Sequence, residues 1–427
     1  MSLPDLIEIV PLDKPVQAEM TVPGSKSITN RALILAALAE GEVTLEGALW
    51  SEDTQIMADC LQELGFMVDV KADPDEVCNR TITVYGKGGV VPSEPLELAV
   101  GNAGTAARFL AAFVCLGKGV YRLDGVPRMR ERPQAGLFNA LRELGYRVDS
   151  PNDKLPALIH GGGPRPGAAC RVSIGESSQF ASALILCGQH NQWTVEVTGD
   201  NAEESPYVAM TVEMARSFPP TGIFHVDPDA SSASYIWGAD WLLSRPGSST
   251  SGSRIAPAVE KWFHEAWQMD AQFARYAGEF PVRLSRVRDL GDSIMTAIVL
   301  APFVSHAATF EDLTRLRVQE CERVAALRTE LTRCGARVVE EGDTLTVYPS
   351  TLHGAEVETY NDHRMAMCFA ILGLKVPGIR IKNPACVKKT FPNFFQKLAA
   401  APSRGLGAAI LDAKTGRKLG ADELFAD

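Results

Sequence analysis

Basic charge is what this sequence has too little of. Lys and Arg number 42 against 52 Asp and Glu, a net charge of −10, so no global positive field is available for non-specific nucleic-acid binding. Long apolar runs are missing too: none reaches the ~18 residues of a membrane span. The opening Met1-Ser2-Leu3-Pro4-Asp5 lacks the basic start of a secretory leader. The nine cysteines form no C-x-x-C pair, which excludes zinc ribbons and disulfide scaffolds, and the seven histidines lack metal-ligand spacing. With 46% hydrophobic and 22% charged residues, disorder and coiled coil are excluded as well. The expectation is a soluble, cytoplasmic chain with reduced thiols, its 427 residues enough for two or three domains.

Two repeated features organise what is present. Leu61-Gln-Glu-Leu-Gly65-Phe-Met-Val68, Leu141-Arg-Glu-Leu-Gly145-Tyr-Arg-Val148 and Leu331-Thr-Arg-Cys-Gly335-Ala-Arg-Val338 each read as a helix end, a left-handed glycine and a strand. A looser copy runs from Met214 through Gly222. Any helix-to-strand connection fits this pattern, so a second feature is needed. Small or polar clusters lead into alanine-rich apolar helices at six places: Gly24-Ser-Lys-Ser27, Gly101-Asn-Ala-Gly-Thr105, Glu176-Ser-Ser-Gln179, Asp229-Ala-Ser-Ser232, Gly291-Asp-Ser293 and Asn361-Asp-His-Arg364. Helices apolar nearly all round are buried, so two domains of three αβ units each are expected.

Helix amino termini carry unpaired N–H groups and favour anions. An ordinary first turn prefers Asp or Glu, yet Lys26, Arg31, Arg108 and Arg364 stand at or just inside these starts. Each misplaced cation costs a few tenths to about 1 kcal/mol unless an anion answers it. A surface carboxylate would answer one such case; several together favour an anionic ligand.

Other chemistries fail on their motifs. A P-loop needs glycines at positions 20 and 25, where Met20 and Ser25 stand, and Gly101-Asn-Ala-Gly104 lacks the dinucleotide G-x-G-x-x-G. No G-x-S-x-G elbow supports a nucleophilic serine, and His363 reads as a structural hydrogen bonder. Glu320 extends the stripe Val324, Leu327, Leu331 backward by one turn, with Arg323 beside it. It is a candidate proton donor or acceptor; the alternative is an i,i+3 surface ion pair.

Taken in order, these clusters resemble the 5-enolpyruvylshikimate-3-phosphate synthase family. The resemblance rests on Val22-Pro-Gly-Ser-Lys-Ser-Ile-Thr-Asn-Arg31, Gly101-Asn-Ala-Gly-Thr-Ala-Ala-Arg108, Pro127-Arg-Met-Arg-Glu-Arg-Pro133, Ser177-Ser-Gln-Phe180, Asp229-Ala-Ser-Ser-Ala-Ser-Tyr235, Tyr360-Asn-Asp-His-Arg-Met-Ala-Met367 and Lys389-Thr-Phe-Pro392. It runs from about Leu12 to Ala399 and is weakest over Trp237–Arg288. The sister family acting on UDP-N-acetylglucosamine shares the fold but lacks the last two motifs.

The resemblance implies an α/β fold, an inside-out α/β barrel in each of two similar domains built of three βαβαββ units with buried helices. The domains would be residues 22–228 and 1–21 with 229–427, with a cleft active site. It implies transfer of the carboxyvinyl group of phosphoenolpyruvate to the 5-hydroxyl of shikimate 3-phosphate, with no cofactor, no metal and a monomeric enzyme. Phosphoenolpyruvate would be held by Lys26, Gly104, Arg128, Gln179, Arg323, Arg364 and Lys389. Asp292, Glu320 and Lys26 would be catalytic, Glu320 handling the proton at carbon 3 and Asp292 that of the attacking hydroxyl. The acceptor would lie against Ser27, Arg31, Ser177, Ser178, Gln179, Tyr207, Asp292, Arg315 and Gln319.

The acceptor side departs from the family pattern. Arg-Val-Lys-Glu is here Arg317-Val318-Gln319-Glu320, Ser-x-Pro-Tyr is Glu204-Ser205-Pro206-Tyr207, and an asparagine is replaced by Arg315. Like charges at ~4 Å repel by about 4 kcal/mol at an effective dielectric of 20, so Glu204 cannot point at a phosphate. Arg315 or Ser205 would compensate. The alternatives are an enolpyruvyl transferase with a less phosphorylated acceptor alcohol, and an inactive homologue that only binds ligand. Gly104 leaves room for glyphosate, which in this family occupies the phosphoenolpyruvate site, but Phe109 stands where the family usually has proline. Weakened inhibition is expected; an inhibition constant as tight as in proline-bearing relatives would reject it.

Overall fold

The computed structural model describes residues 3–91, 95–199, 205–246, 248–258, 267–276 and 280–426. The chain divides into two compact units, Gly24–Asp227 and Met1–Pro23 with Pro228–Asp427. The fold is α/β in both.

In the unit Gly24–Asp227, Gly222–His225 runs parallel to Glu42–Leu49, which pairs antiparallel with Asn79–Tyr85, itself antiparallel to Met67–Ala72. Leu96–Ala99, Val120–Asp124, Ala157–His160 and Arg147–Asp149 repeat that order. The third sheet is a parallel pair, Ala169–Ser173 with Thr194–Thr198. The reason is chain length: only residues 218–221 separate the helix Ser205–Ser217 from the strand Gly222–His225, too few for a hairpin.

The other unit follows the same plan. Arg283–Ser285, Ala308–Glu311, Thr344–Val347 and Val338–Glu341 form one four-stranded sheet. Glu356–Val357, Ile379–Lys382, Leu6–Ile9 and Ile410–Asp412 form another. Gln17–Met20 and Arg254–Pro257 make the parallel pair. The repeating order is thus parallel, antiparallel, antiparallel, shortened in the third module of each unit to its parallel pair among the described residues.

Each sheet packs over helices that are buried because they offer no polar face. In one unit these are Lys26–Leu38, Gly104–Phe113 and Ser178–Asn191, which touch one another; in the other they are Ala230–Leu243, Ile294–Leu300 and His363–Gly373, likewise in mutual contact. Their alanines allow close approach, and all ten residues of Gly104–Phe113 are buried. These are the helices expected from the six small-residue clusters. The repeat glycines Gly65, Gly145 and Gly335 have φ of 81°, 89° and 94°, the left-handed turn that ends a helix before the next strand.

The tail belongs to the core. Ile410–Asp412 pairs with Leu6–Ile9, and Ile410, Leu419, Leu424 and Ala426 join the hydrophobic cluster of that unit. Arg417 holds Glu423 through two hydrogen bonds of 2.8 and 2.7 Å. Leu424 is fully buried, so Leu424→Ala is expected to destabilise the protein by about 2–5 kcal/mol. Denaturant unfolding reads it; an unchanged midpoint would make the tail a surface appendage.

Candidate active site

The candidate residues fall into two sets, one in each unit. In Gly24–Asp227, Lys26 opens the helix Lys26–Leu38 and its Nζ lies 3.1 Å from the buried Oδ2 of Asp53. One turn on, Arg31 is buried. Its Nε donates to Thr211 Oγ1 at 2.7 Å, Nη1 to the Ser27 carbonyl at 2.9 Å and Nη2 to Ser182 Oγ at 3.0 Å. Nη2 also lies 3.5 Å from the Tyr207 carbonyl, and the guanidinium sits 5.4 Å from the centre of the Phe109 ring. Phe109 is therefore part of the bed on which this cation rests.

Gly104 and Gln179 are brought together by Arg108. Its Nη1 donates to Gln179 Oε1 at 2.5 Å, and Gln179 Nε2 donates to Thr105 Oγ1 at 3.1 Å. Ser177 caps the helix Ser178–Asn191 by accepting from the Gln179 amide, and Ser178 is buried next to it.

Arg128 is placed elsewhere. Its side chain is 56% exposed and bonds Glu131 at 2.7 Å, an i,i+3 surface pair. Arg132 takes the position beside Gly104: a β-carbon on that glycine would lie 2.6–2.8 Å from its guanidinium. The helix Pro127–Glu131 ends at once, and Arg132 turns extended (φ −71°, ψ 144°) ahead of Pro133, which redirects its side chain. The signal was available, since an arginine directly before proline cannot continue the helix that carries Arg128.

In the other unit a buried carboxylate is surrounded by guanidinium groups. Asp292 stands just before the helix Ile294–Leu300, 2.9 Å from Arg286 Nη2, 3.3 Å from Arg364 Nη2 and 3.6 Å from Arg323 Nη1. Burial pushes its pKa up, but Arg364, Arg286 and Arg323 outweigh this and hold it well below the ordinary value of 3.8. Asp292 in turn pushes Arg364 well above the usual arginine value against the effect of burial. Arg286 was not singled out in the sequence; it lies in a loop whose burial only the tertiary packing reveals.

Asp362 has two tasks. It caps the helix His363–Gly373 by accepting from the Arg364 amide at 2.9 Å, and it grips Arg323 at 2.6 and 3.2 Å. Arg323 Nη1 also donates to Gln319 Oε1 at 2.5 Å, while Gln319 Nε2 is 3.5 Å from Asp292 Oδ1. Lys389 Nζ donates to Glu320 Oε2 at 2.8 Å, both half-buried. Glu320 thus pairs with a lysine distant in sequence; it stands on the bend ahead of the helix Arg323–Arg333, which Glu322 caps, and not in the helical stripe expected for it. Arg315 lies half-buried on the short turn Thr314–Val318. Glu204 lies outside the described residues. No group of three or more His, Cys, Asp or Glu is placed to hold a metal ion among the described residues.

Comparison with known proteins agrees with this fold. The EPSP synthase (3-phosphoshikimate 1-carboxyvinyltransferase) family matches residues 11–221 and 249–398. The 3-phosphoshikimate 1-carboxyvinyltransferase of Trichormus variabilis is 37% identical, covering 92% of this chain and 98% of its own. That of Opitutus terrae is 35% identical over 95% and 100%. Among solved structures, EPSP synthase from Acinetobacter baumannii superposes with a TM-score of 0.68 at 20% identity, over 95% of this chain and 99% of that one. The enolpyruvyl transferase NikO from Streptomyces tendae gives 0.65 at 15%, over 95% and 98%. The fold is that of the enolpyruvyl transferases. With a family match over most of its length and relatives above 30% identity, the chain belongs to the EPSP synthase family.

A carboxylate whose folded pKa is depressed adds stability that is full above its unfolded value and is lost as pH falls through the folded one. Asp292→Asn should therefore lower the unfolding free energy near pH 7 by about 3–5 kcal/mol, the cost of leaving buried cations without their partner. The gap to the wild type should shrink as the pH drops below the ordinary value of 3.8. Denaturant unfolding across that range checks it; a pH-independent gap would mean Asp292 is not held ionised.

Proposed function

We propose that this protein transfers the carboxyvinyl group of phosphoenolpyruvate to the 5-hydroxyl of shikimate 3-phosphate, releasing phosphate, on the route to chorismate and the aromatic amino acids. The observation that carries the reading is the convergence of Arg286, Arg323 and Arg364 on Asp292, in the unit that also holds the Glu320–Lys389 pair, in a chain of this family. Its cations rest on the protein's own carboxylates: Lys26 on Asp53, Lys389 on Glu320, Arg323 on Asp362. A ligand carrying a carboxylate and a phosphate meets cations that these partners already hold in place.

In this reading Lys26, Gly104, Gln179, Arg323, Arg364 and Lys389 hold phosphoenolpyruvate. Arg132, beside Gly104, takes the part that the motif suggested for Arg128. Glu320 delivers a proton to carbon 3, making it a methyl group, and the acceptor oxygen bonds to carbon 2 as Asp292 takes the hydroxyl proton. The tetrahedral intermediate then loses phosphate, which leaves with the proton that Asp292 took, and the methyl group returns a proton to Glu320. Lys389, hydrogen-bonded to Glu320, steadies its charged form between the two steps. Ser27, Arg31, Ser177, Ser178, Gln179, Tyr207, Arg315 and Gln319 line the acceptor, with Arg315 offsetting the lysine that Gln319 replaces. The enzyme is read as a cytoplasmic monomer that needs neither metal nor cofactor.

Phosphate release from phosphoenolpyruvate by the purified protein tests this directly. Turnover is expected with shikimate 3-phosphate and not with shikimate; silence with the former while phosphoenolpyruvate still binds would move the reaction to another alcohol. Glu320→Gln should lower kcat by about 10²–10⁴-fold with binding retained. Arg364→Gln should cost about 3–4 kcal/mol in kcat/KM, as for a single lost charge-stabilising donor.

A further inference from the structure

The cations around Asp292 are not equivalent. Oδ1 receives the short bond from Arg286 Nη2, 2.9 Å, and the longer approach of Gln319 Nε2, 3.5 Å. Oδ2 faces Arg364 at 3.3 Å and Arg323 at 3.6 Å, the two arginines assigned above to the anionic substrate. Arg286 is 2% exposed, and a guanidinium is kept that deep only where it is paired.

Its mounting is stiff. The Arg286 amide donates to the Glu311 carbonyl of the neighbouring strand at 3.1 Å. The turn that follows is stapled by Ser285, whose amide donates to Asp289 Oδ2 at 2.7 Å and whose hydroxyl accepts from the Val287 and Arg288 amides at 3.1 Å each. A side chain held on such a turn, six residues before the carboxylate it bonds, fixes the carboxylate's rotation.

The geometry points to Arg286 as the positioning residue of Asp292: it anchors Oδ1 and leaves Oδ2 to take the proton of the acceptor hydroxyl. This rests on Asp292 being the proton acceptor. Substrate binding engages Arg323 and Arg364 with the ligand's anionic groups, whereas Arg286 stays with Asp292 throughout. The charged and titratable groups around the site are Arg286 from this turn, Arg323 with Asp362 behind it, and Arg364 with Tyr235, Asp229 and Asp270 behind it. Glu320 also acts on Asp362.

The test compares Arg286→Gln, Arg286→Lys and Asp292→Asn in the full-length enzyme, measuring kcat and the KM for phosphoenolpyruvate across the pH range. Arg286→Gln is expected to lower kcat by about 10²-fold with little change in KM, and to move the acid limb of the profile to higher pH, since the carboxylate loses a cation. Arg286→Lys keeps the charge, so the limb stays in place while kcat remains about 10-fold down, because an ammonium lacks the guanidinium's directed N–H. An acid limb that does not move in Arg286→Gln, or a loss shared equally by kcat and KM, overturns the proposal. Should the glutamine variant not fold, full activity in Arg286→Lys overturns it. If Asp292→Asn keeps its turnover, the reading of Asp292 as proton acceptor fails instead, whatever Arg286 does.

Discussion

The burial of one carboxylate among three guanidinium groups is the constraint from which the rest of this protein is best understood. Taking Asp292, Arg286 and Arg323 out of water costs several kcal/mol per ion, and hydrophobic groups of the same volume would often serve stability as well. The offset comes from elsewhere: apolar helices such as Ile294–Leu300 and His363–Gly373, packed side by side, supply the burial that makes room for a charged site at their amino-terminal ends. Asp362 shows how tightly these demands are combined. The carboxylate that caps a helix also holds the guanidinium of Arg323, so helix start and cation position cannot vary independently.

The same logic accounts for the pairings of the two lysines. Lys26 and Lys389 each rest on a carboxylate, and neither is left as an exposed charge. A cation held this way is already positioned, which keeps the reorganisation needed to meet an anion small. Gly104 serves this by omission, since any side chain there would displace the Arg132 guanidinium.

Much of this was legible in the sequence because it is local. A polar cluster followed by an all-apolar, alanine-rich stretch is a buried helix wherever it occurs, and the six clusters mark the six core helices. Gly65, Gly145 and Gly335 announce left-handed turns for the same reason. What escaped depends on where the chain goes next. Arg128 and Arg132 differ only in which side of a one-turn helix's end they occupy, and Arg286 sits in a loop whose composition does not hint at burial. The partner of Glu320 lies 69 residues away. The shortened third module could have been counted, from the few residues between Met214 and Ile223, but looked there like another copy of the repeat.

One topological detail bears on how the chain is made. The strand Leu6–Ile9 lies between Ile379–Lys382 and Ile410–Asp412, so it pairs with segments synthesised long after it. Gly24–Asp227 has all its own strands as soon as residue 227 has emerged, whereas Leu6–Ile9 of the other unit stays unpaired until residues beyond 378 are made. For that interval Leu6-Ile-Glu-Ile9 is an apolar β-forming segment without neighbours, and the cell's folding machinery, not the finished structure, has to keep it from pairing with the wrong edge.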